Sequence, residues 1–365
     1  MPKKLLFVIN SLQGGGAERV LSSLAVSFYR QGHLVSIVCL NYAEQAYDIP
    51  DGIKLIYVTR ERRAGTLYRA YYAYRTYSRL HNVFRTEKPD CAISFMTSAN
   101  LWTGFVGRLT RTSYIVSERT NTDHIKSLNV IQRWILHEIY SRSKGVVAPC
   151  SGVEAALLRT EALKSIKNIK VIINPVKALG PISKEAVNQR KYILAAGRLC
   201  YEKGFDLLID AFALIKDKNV DLLIVGEGED REALEKQIES LGLAGRVKLV
   251  GAKKNIQDYY NNAALFVLSS RTEGYPNVLI EAMSMGCPSI AMDCEFGPSE
   301  IIVHEKNGLL VKERSAEALS QNIERVLSDK LLRARLSENA RLINLTNSST
   351  AVYAEWEKLV FESLS

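Results

Sequence analysis

The sequence predicts an α/β chain of two domains, each an open parallel sheet covered by helices. Three observations predict it. Short continuous apolar runs alternate with longer amphipathic stretches along the whole chain, the pattern of strand–helix–strand units. That alternation lapses once, around 178–190 (ALGPISKEAVNQR), and then restarts. A length of 365 residues also exceeds what a single ordinary core serves.

The elements follow in order. Leu5–Ile9 is a buried strand, then Gly14-Gly15-Gly16 turns the chain into a helix over Ala17–Gln31, which Gly32 closes. Leu34–Leu40 reads as the second strand, and Cys91–Phe95, Tyr114–Ser117, Gly145–Pro149 and Lys170–Ile173 as later ones. The lapse marks the linker, which gives domains of 1–178 and 190–349. The second cycle runs through Tyr192–Ala196, Asp221–Val225, Val247–Val250, Leu265–Leu268, Ser289–Met292 and Leu309–Val311. An amphipathic helix over Thr350–Leu364 is placed to return to the first domain, within residues 350–365.

Composition narrows the class. Apolar residues make up 47% and charged residues 24%, as in a globular enzyme. No apolar run approaches the roughly 18–20 residues that span a bilayer. The start, MPKKLLFVIN, has a cationic lead but a short apolar run and no small-residue cleavage site, so it reads as a strand retained in the mature protein. The six cysteines are scattered without a CxxC pair, which points to reduced core thiols. The net charge of +9 is uneven: the first 180 residues hold 25 Lys and Arg against 12 Asp and Glu, the remainder 23 against 27. A basic first half suits an anionic surface or ligand.

In the second half, EGYPNVLIE places Glu273 and Glu281 seven residues apart around a helix start near Pro276 or Asn277. Amides of Asn277, Val278 and Leu279 at such a start lack intrahelical acceptors and suit a diphosphate. Two carboxylates can then receive hydroxyls from two sugars. Taken singly, Glu281 reads rather as a solvated helix residue and Glu273 as a loop charge. GRLCYEKG sets Arg198 just past a strand with Lys203 five residues on, two cations able to neutralise a departing diphosphate or simply to face solvent. In LLIVGEGED, Gly226 and Gly228 close a strand and permit close backbone approach.

In the first half, Gly14–Glu18 is not a GxGxxG dinucleotide fingerprint, which argues against an NAD site. SERTN, residues 117–121, follows a strand end, the usual place for ligand groups in open α/β sheets. Here Glu118 is either an acceptor contact or a structural partner of Arg119. The stretch TLYRAYYAYRTYSRLHNVFR is rich in Tyr and Arg. On a helix, Leu67, Ala70, Tyr71 and Tyr74 share one face; Tyr68, Tyr72, Arg75 and Arg79 share roughly the opposite one. Arg60, Arg62 and Arg63 lie just upstream, and Arg69 is on the same stretch. This composition suits a membrane interface, or a packed helix with solvated arginines.

Taken together, GGGAE, GRLCYEKG, VGEGED, EGYPNVLIEAMSMGCP, DCEFGPSEII and NGLLV, in that order across nearly the whole chain, resemble the retaining family 4 glycosyltransferases, or glycosyl transferases group 1. The resemblance implies a GT-B fold of two Rossmann-like domains facing across a cleft. It implies that Arg198 and Lys203 contact the donor diphosphate, Glu273 the donor sugar and Glu281 the ribose. The donor site would also include Gly226, Gly228, Gly251, Asn255, Gly274, Tyr275, Pro276, Asn277, Val278 and Leu279. The base falls around Gly251–Ile256, and Gly15 and Gly16 lie across the cleft from the phosphates. Many relatives carry a histidine where this chain has Arg119. A branch similar to bacterial transferases that extend polyprenyl-diphosphate-linked glycans often has Glu-Arg there, which makes Glu118 and Arg119 acceptor contacts, with Arg69, Arg75 and Arg79 beside them.

The resulting expectation is a retaining, metal-independent transferase with no cofactor beyond a UDP-linked nucleotide-sugar donor. Its sugar is of galactose or N-acetylgalactosamine type and its acceptor a lipid-linked glycan. The enzyme is expected in the cytoplasm, peripheral at the inner face of the membrane, with an anionic membrane surface and no nucleic acid as partner. No DxD motif occurs in the sequence. A sugar-nucleotide epimerase on the same scaffold and a basic membrane- or nucleic-acid-binding protein are the rival readings.

Overall fold

The computed structural model describes residues 1–59, 66–119, 125, 127–177, 179–183 and 185–364. Arg60, Arg62, Arg63, Thr120, Asn121, Ala178 and the side chain of Leu67 lie outside the described residues. The chain divides into two compact units: Met1–Pro175 with Thr350–Ser365, and Val176–Ser349.

The first unit runs β1 (Lys4–Ile9), α1 (Gly16–Arg30), β2 (Leu34–Asn41), β3 (Lys54–Thr59), α2 (Thr66–Glu87), β4 (Cys91–Phe95) and α3 (Thr97–Thr110). It continues with β5 (Ser113–Ser117), α4 (Val130–Ser141), β6 (Gly145–Ala148), α5 (Ser151–Arg159) and β7 (Ile169–Val171). Its sheet is parallel, in the order β3-β2-β1-β4-β5-β6-β7. The β1 to β2 step runs one way along the sheet and the β3 to β4 step runs the other. Right-handed crossovers therefore put α1 on one face and α2, α3 and α4 on the opposite face. The strand β3 escaped the sequence reading because its apolar run, Leu55–Val58 between Lys54 and Thr59 at the sheet edge, is very short.

The second unit runs β8 (Lys191–Ala196), α6 (Phe205–Ala213), β9 (Val220–Val225), α7 (Arg231–Ser240), β10 (Val247–Gly251), α8 (Ile256–Asn262) and β11 (Leu265–Leu268). Then come α9 (Asn277–Ser284), β12 (Ser289–Met292), α10 (Pro298–Ile301), β13 (Leu309–Val311), α11 (Ala316–Ser328), α12 (Lys330–Ala340) and α13 (Ile343–Thr346). The sheet order is β10-β9-β8-β11-β12-β13, again parallel, so the direction reverses between β8 and β11.

The last helix, α14 (Ser349–Glu362), belongs to the first unit. Its Val352, Trp356, Leu359 and Val360 are buried with α1 residues and with Phe7, Ile37 and Phe95 of the sheet. Trp356 stacks on Phe95 at 5.6 Å between ring centroids. On the sheet's other face the helices pack closely. A Cβ on Gly104 of α3 would come within 2.2 Å of Ile139 of α4. Tyr77 of α2 meets Phe105 of α3 edge to face. All six cysteines are buried and form no disulfide among the described residues, and burial pushes the Cys39 and Cys91 thiols up to about 12.

Candidate active site

Open α/β sheets bind ligands outside the carboxyl ends of their strands, where the strand order reverses. In the second unit that point lies between β8 and β11. After β8 the chain passes Gly197 and Arg198 into a short 3-10 turn, Tyr201–Lys203, closed by Gly204 with φ 62°. After β11 it forms the loop Ser269–Glu273. The two loops meet: Lys203 Nζ donates to Glu273 Oε1 at 2.7 Å, and Ser270 Oγ donates to the same oxygen at 2.7 Å. The Glu273 side chain is only 8% exposed and that of Lys203 25%.

Residues not singled out in the sequence hold this geometry. Ser269 Oγ donates to the Lys203 carbonyl at 2.9 Å, and the Arg271 N–H donates to the Glu202 carbonyl at 2.8 Å. The Arg271 guanidinium donates to the Tyr201 carbonyl and, through two nitrogens, to Asp206 at 2.8 and 2.5 Å. It also lies 4.0 Å over the Tyr201 ring. A Cβ on Gly204 would fall 2.3 Å from the Ser269 carbonyl oxygen, so the loops close only around glycine. Arg271 could have been suspected from its place just past a buried strand; Asp206 carried no signal, since an Asp in a first helical turn is ordinary.

Arg198 is exposed, its carbonyl accepts from the Cys200 N–H at 2.9 Å, and its guanidinium forms no hydrogen bond or ion pair among the described residues. It shares a locale with Lys203. The Glu202 carboxyl is held below its usual range by its own backbone N–H, then by the Cys200 thiol, with Arg198 and Lys203 adding to the effect.

Gly226 and Gly228 do permit close approach, but the partner is this chain's own backbone. A Cβ at Gly226 would lie 1.8 Å from the Gly197 oxygen, and one at Gly228 2.2 Å from the Leu199 oxygen. The β8 and β9 loops interlock there, with Gly197 N–H donating to Val225 O and Leu199 N–H to Glu227 O. Gly251, at φ 76°, accepts from the Gly226 N–H at 3.0 Å. Asn255 precedes α8 and donates to Asp258 at 2.7 Å.

The α9 start departs from expectation in one respect. The Leu279 N–H turns back to the Pro276 carbonyl at 3.1 Å and is withdrawn from a ligand; Asn277 and Val278 remain ahead of it. The turn Gly274-Tyr275-Pro276 packs against Gly297 of the DCEFGPSEII stretch, where a Cβ would meet Pro276 Cδ at 2.7 Å. Tyr275 is buried, and its hydroxyl accepts from Asn347 at 2.7 Å. Glu281 is 5% exposed and accepts from the Tyr260 hydroxyl at 3.1 Å, so it is not a solvated helix residue.

In the first unit, Gly14 takes φ 116°, and the space over Gly15 is filled by the Glu18 carboxylate, 2.1 Å from where a Cβ would sit. Gly15 accepts from Tyr47 Oη at 2.6 Å, and Gly16 begins α1. Glu118, buried after β5, accepts from Thr97 at 3.0 Å, Asn100 at 3.3 Å and the Tyr140 hydroxyl. Arg119 donates to Asn174 at 2.6 Å and lies 4.2 Å over the Phe95 ring. Its Nε and Nη2 are buried with no hydrogen-bond partner among the described residues. Burial lowers its pKa to about 9, against the opposing charge of Glu118. Met96, whose N–H donates to the Ser117 carbonyl at 2.9 Å, holds φ 78°, the kind of strain found at ligand sites.

Along α2, Arg69 is exposed, Arg75 lies over Tyr71, and Arg79 donates to the Val58 carbonyl at 2.5 Å. Tyr72 turns inward to Asn41 at 2.6 Å, while Tyr71 and Tyr74 point outward. Among the described residues no three His, Cys, Asp or Glu side chains gather as metal ligands would.

Two parallel-sheet units with charged groups at their strand ends define the class: a GT-B transferase. Residues 14–178 match Glycosyltransferase Family 4, and residues 181–343 match Glycosyl transferases group 1. The chain is a GT-B-fold glycosyltransferase related to both families. It is 27% identical, over 98% of each chain, to the GalNAc-alpha-(1->4)-GalNAc-alpha-(1->3)-diNAcBac-PP-undecaprenol alpha-1,4-N-acetyl-D-galactosaminyltransferase of Campylobacter jejuni. It is 26% identical to the amylovoran biosynthesis glycosyltransferase AmsD of Erwinia amylovora, over 98% of this chain and 99% of that one. Among solved structures, HepE of Anabaena in complex with UDP-glucose superposes with a TM-score of 0.81 at 20% identity, covering 98% of this chain and 99% of that one.

Proposed function

We propose that this glycosyltransferase moves a hexose or N-acetylhexosamine, of galactose or N-acetylgalactosamine type, from a UDP-sugar to a polyprenyl-diphosphate-linked glycan, with retention of anomeric configuration. The observation that carries the reading is the Lys203–Glu273 pair across the reversal point of the second sheet, with the unpaired Arg198 guanidinium beside it. The Campylobacter and Erwinia relatives act in lipid-linked glycan and polysaccharide systems, which supports the acceptor class.

Roles follow from the chemistry of each group. A donor diphosphate entering this site would draw Lys203 away from Glu273, and Arg198 would supply a second cation. Each charge-assisted contact contributes about 1.5–3 kcal/mol, more as charge grows on the leaving group. Glu273, released from Lys203, accepts hydroxyls of the donor sugar. Glu281 already takes a hydroxyl hydrogen from Tyr260, the same chemistry that a ribose hydroxyl requires. The turn Gly274–Pro276 and the start of α9 at Asn277 and Val278 face the phosphates, and Gly251 and Asn255 the base. In the first unit, Arg119 offers donors to the acceptor, with Glu118 positioning it and Arg69, Arg75 and Arg79 meeting the acceptor's phosphates. The departing diphosphate accepts the acceptor hydroxyl's proton, so no side-chain base is required. The enzyme acts from the cytoplasmic side as a peripheral protein on an anionic membrane and does not engage nucleic acid; no described helix is long and apolar enough to cross a bilayer.

Thermal shift with UDP, GDP, ADP and their common sugars tests this reading. UDP and a UDP-hexose are expected to raise the melting temperature selectively. Stabilisation by hydrophobic ligands with no nucleotide preference would overturn it.

A further inference from the structure

The chain passes between its two units twice, after Pro175 and after Ser349, and one buried residue ties the two crossings together. Asn347 ends the short helix α13 and is 1% exposed. Its carbonyl accepts at 2.8 Å from the N–H of Val176, the first residue past the other crossing. Its side-chain amide donates to the buried Tyr275 hydroxyl at 2.7 Å. Three residues earlier, the Asn344 amide donates at 3.0 Å to the carbonyl of Ser284, the last residue of α9. The segment by which the chain leaves the second unit thus grips α9 at both ends, just before its start and at its close.

In the first unit both crossings lead to groups that seat Arg119. Asn174, two residues before Val176, accepts from Arg119 Nη1 at 2.6 Å. Beyond the second crossing, the Arg119 guanidinium lies 5.6 Å over the ring of Trp356 in α14. Each of these contacts stays within one unit, and the covalent crossings join the two sets. Burial keeps water from replacing either partner of the Tyr275–Asn347 bond. A shift of the turn that carries Tyr275 is therefore passed on to Asn347 instead of being absorbed by solvent.

We propose that Asn347 is a positioning residue that couples a nucleoside diphosphate at the Gly274–Pro276 turn to both crossings and, through them, to the seat of Arg119. The proposal deepens the reading above, on which it rests for the placing of the diphosphate at that turn. A ligand that fixes the turn favours the arrangement in which Tyr275 and Asn347 stay joined. By linkage the same ligand holds the Val176 N–H on the Asn347 carbonyl.

Hydrogen exchange of the full chain, with and without saturating UDP and with no acceptor present, tests the coupling. In the wild type UDP should slow exchange at the Val176 amide by at least about fivefold. The slowing should extend past the crossing to Ile172, whose N–H donates to the Ala148 carbonyl at 2.9 Å. Asn347→Ala should still bind UDP, yet UDP should then slow both amides by less than about twofold. Tyr275→Phe, which keeps the ring, should lose the response as well, and combining the two variants should add nothing further. A residue that merely stabilised the fold would raise exchange with and without UDP alike and leave their ratio intact, and that result would overturn the proposal. So would a response that survives in both single variants, or one absent from wild type with UDP bound. A response at Val176 that never reaches Ile172 would overturn the relay to Arg119. Wild type that binds no UDP at all would sink the donor reading, and the coupling with it.

Discussion

Lys203 and Glu273 hold each other at 2.7 Å, so each is part of the other's environment. Replacing Lys203 with Ala is expected to lower turnover ~10–100-fold, the loss of one charge-assisted contact to the transition state. It also strands a largely buried carboxylate, so the double variant Lys203→Ala/Glu273→Gln is the control for stability. Full turnover with normal donor affinity in Lys203→Ala would remove Lys203 from the site. Glu281 differs, because its partner is a neutral hydroxyl. Glu281→Ala removes the carboxylate that accepts from the buried Tyr260 hydroxyl and should cost about 1–3 kcal/mol of stability, read as a fall in the denaturant midpoint. UDP affinity should drop with it, whereas Tyr260→Phe should lose stability and keep most of the affinity.

Elements decide whether those residues meet. The β8 and β9 loops interlock through Gly226 and Gly228, and a methyl at Gly226 would overlap the Gly197 carbonyl. Gly226→Ala is therefore expected to lower the melting temperature and to weaken UDP binding through the displaced Arg198 loop, although Gly226 need not touch a ligand. The Arg271–Asp206 pair joins the loop bearing Glu273 to the turn bearing Lys203. The Asp206 carboxyl is held below its usual range, first by the Arg271 hydrogen bond. A lowered native pKa makes the pair's contribution present above the ordinary Asp range of about 4 and lost as pH falls below it. Partial exposure limits it to about 1 kcal/mol or less. Unfolding curves from neutral to acid pH should show Asp206→Asn less stable than wild type near neutrality, the gap closing in acid.

Across the whole molecule, α14 completes the first unit from the far end of the sequence. Val352, Trp356, Leu359 and Val360 are fully buried there, and burying such side chains contributes ~1.5–3 kcal/mol each as an upper estimate. Together they approach the ~5–15 kcal/mol that stabilises an ordinary domain. Deleting residues 349–365 should collapse amide protection in β1, β4 and β5 while the second unit's strands, whose core contains no residue of α14, stay protected. Equal loss of protection in both units would contradict this division.

The sequence by itself determined every strand of the two sheets except β3, because continuous apolar runs between turns have few other solutions in a chain of this size. It also pointed to the glycines and to the charged motifs, whose spacing reflects local backbone geometry. Only the tertiary structure decided which groups those motifs serve. That Gly226 yields to a carbonyl of its own chain and that Arg271 clamps two loops through Asp206 depend on contacts between segments distant in sequence. The same holds for the helix layer. Periodicity divides the faces of α2 but cannot say which one meets the sheet, and the apolar outer side of α4 is indistinguishable from a core side until its neighbours are in place. Local pattern encodes what a segment becomes; the packing of remote segments sets what each side chain faces.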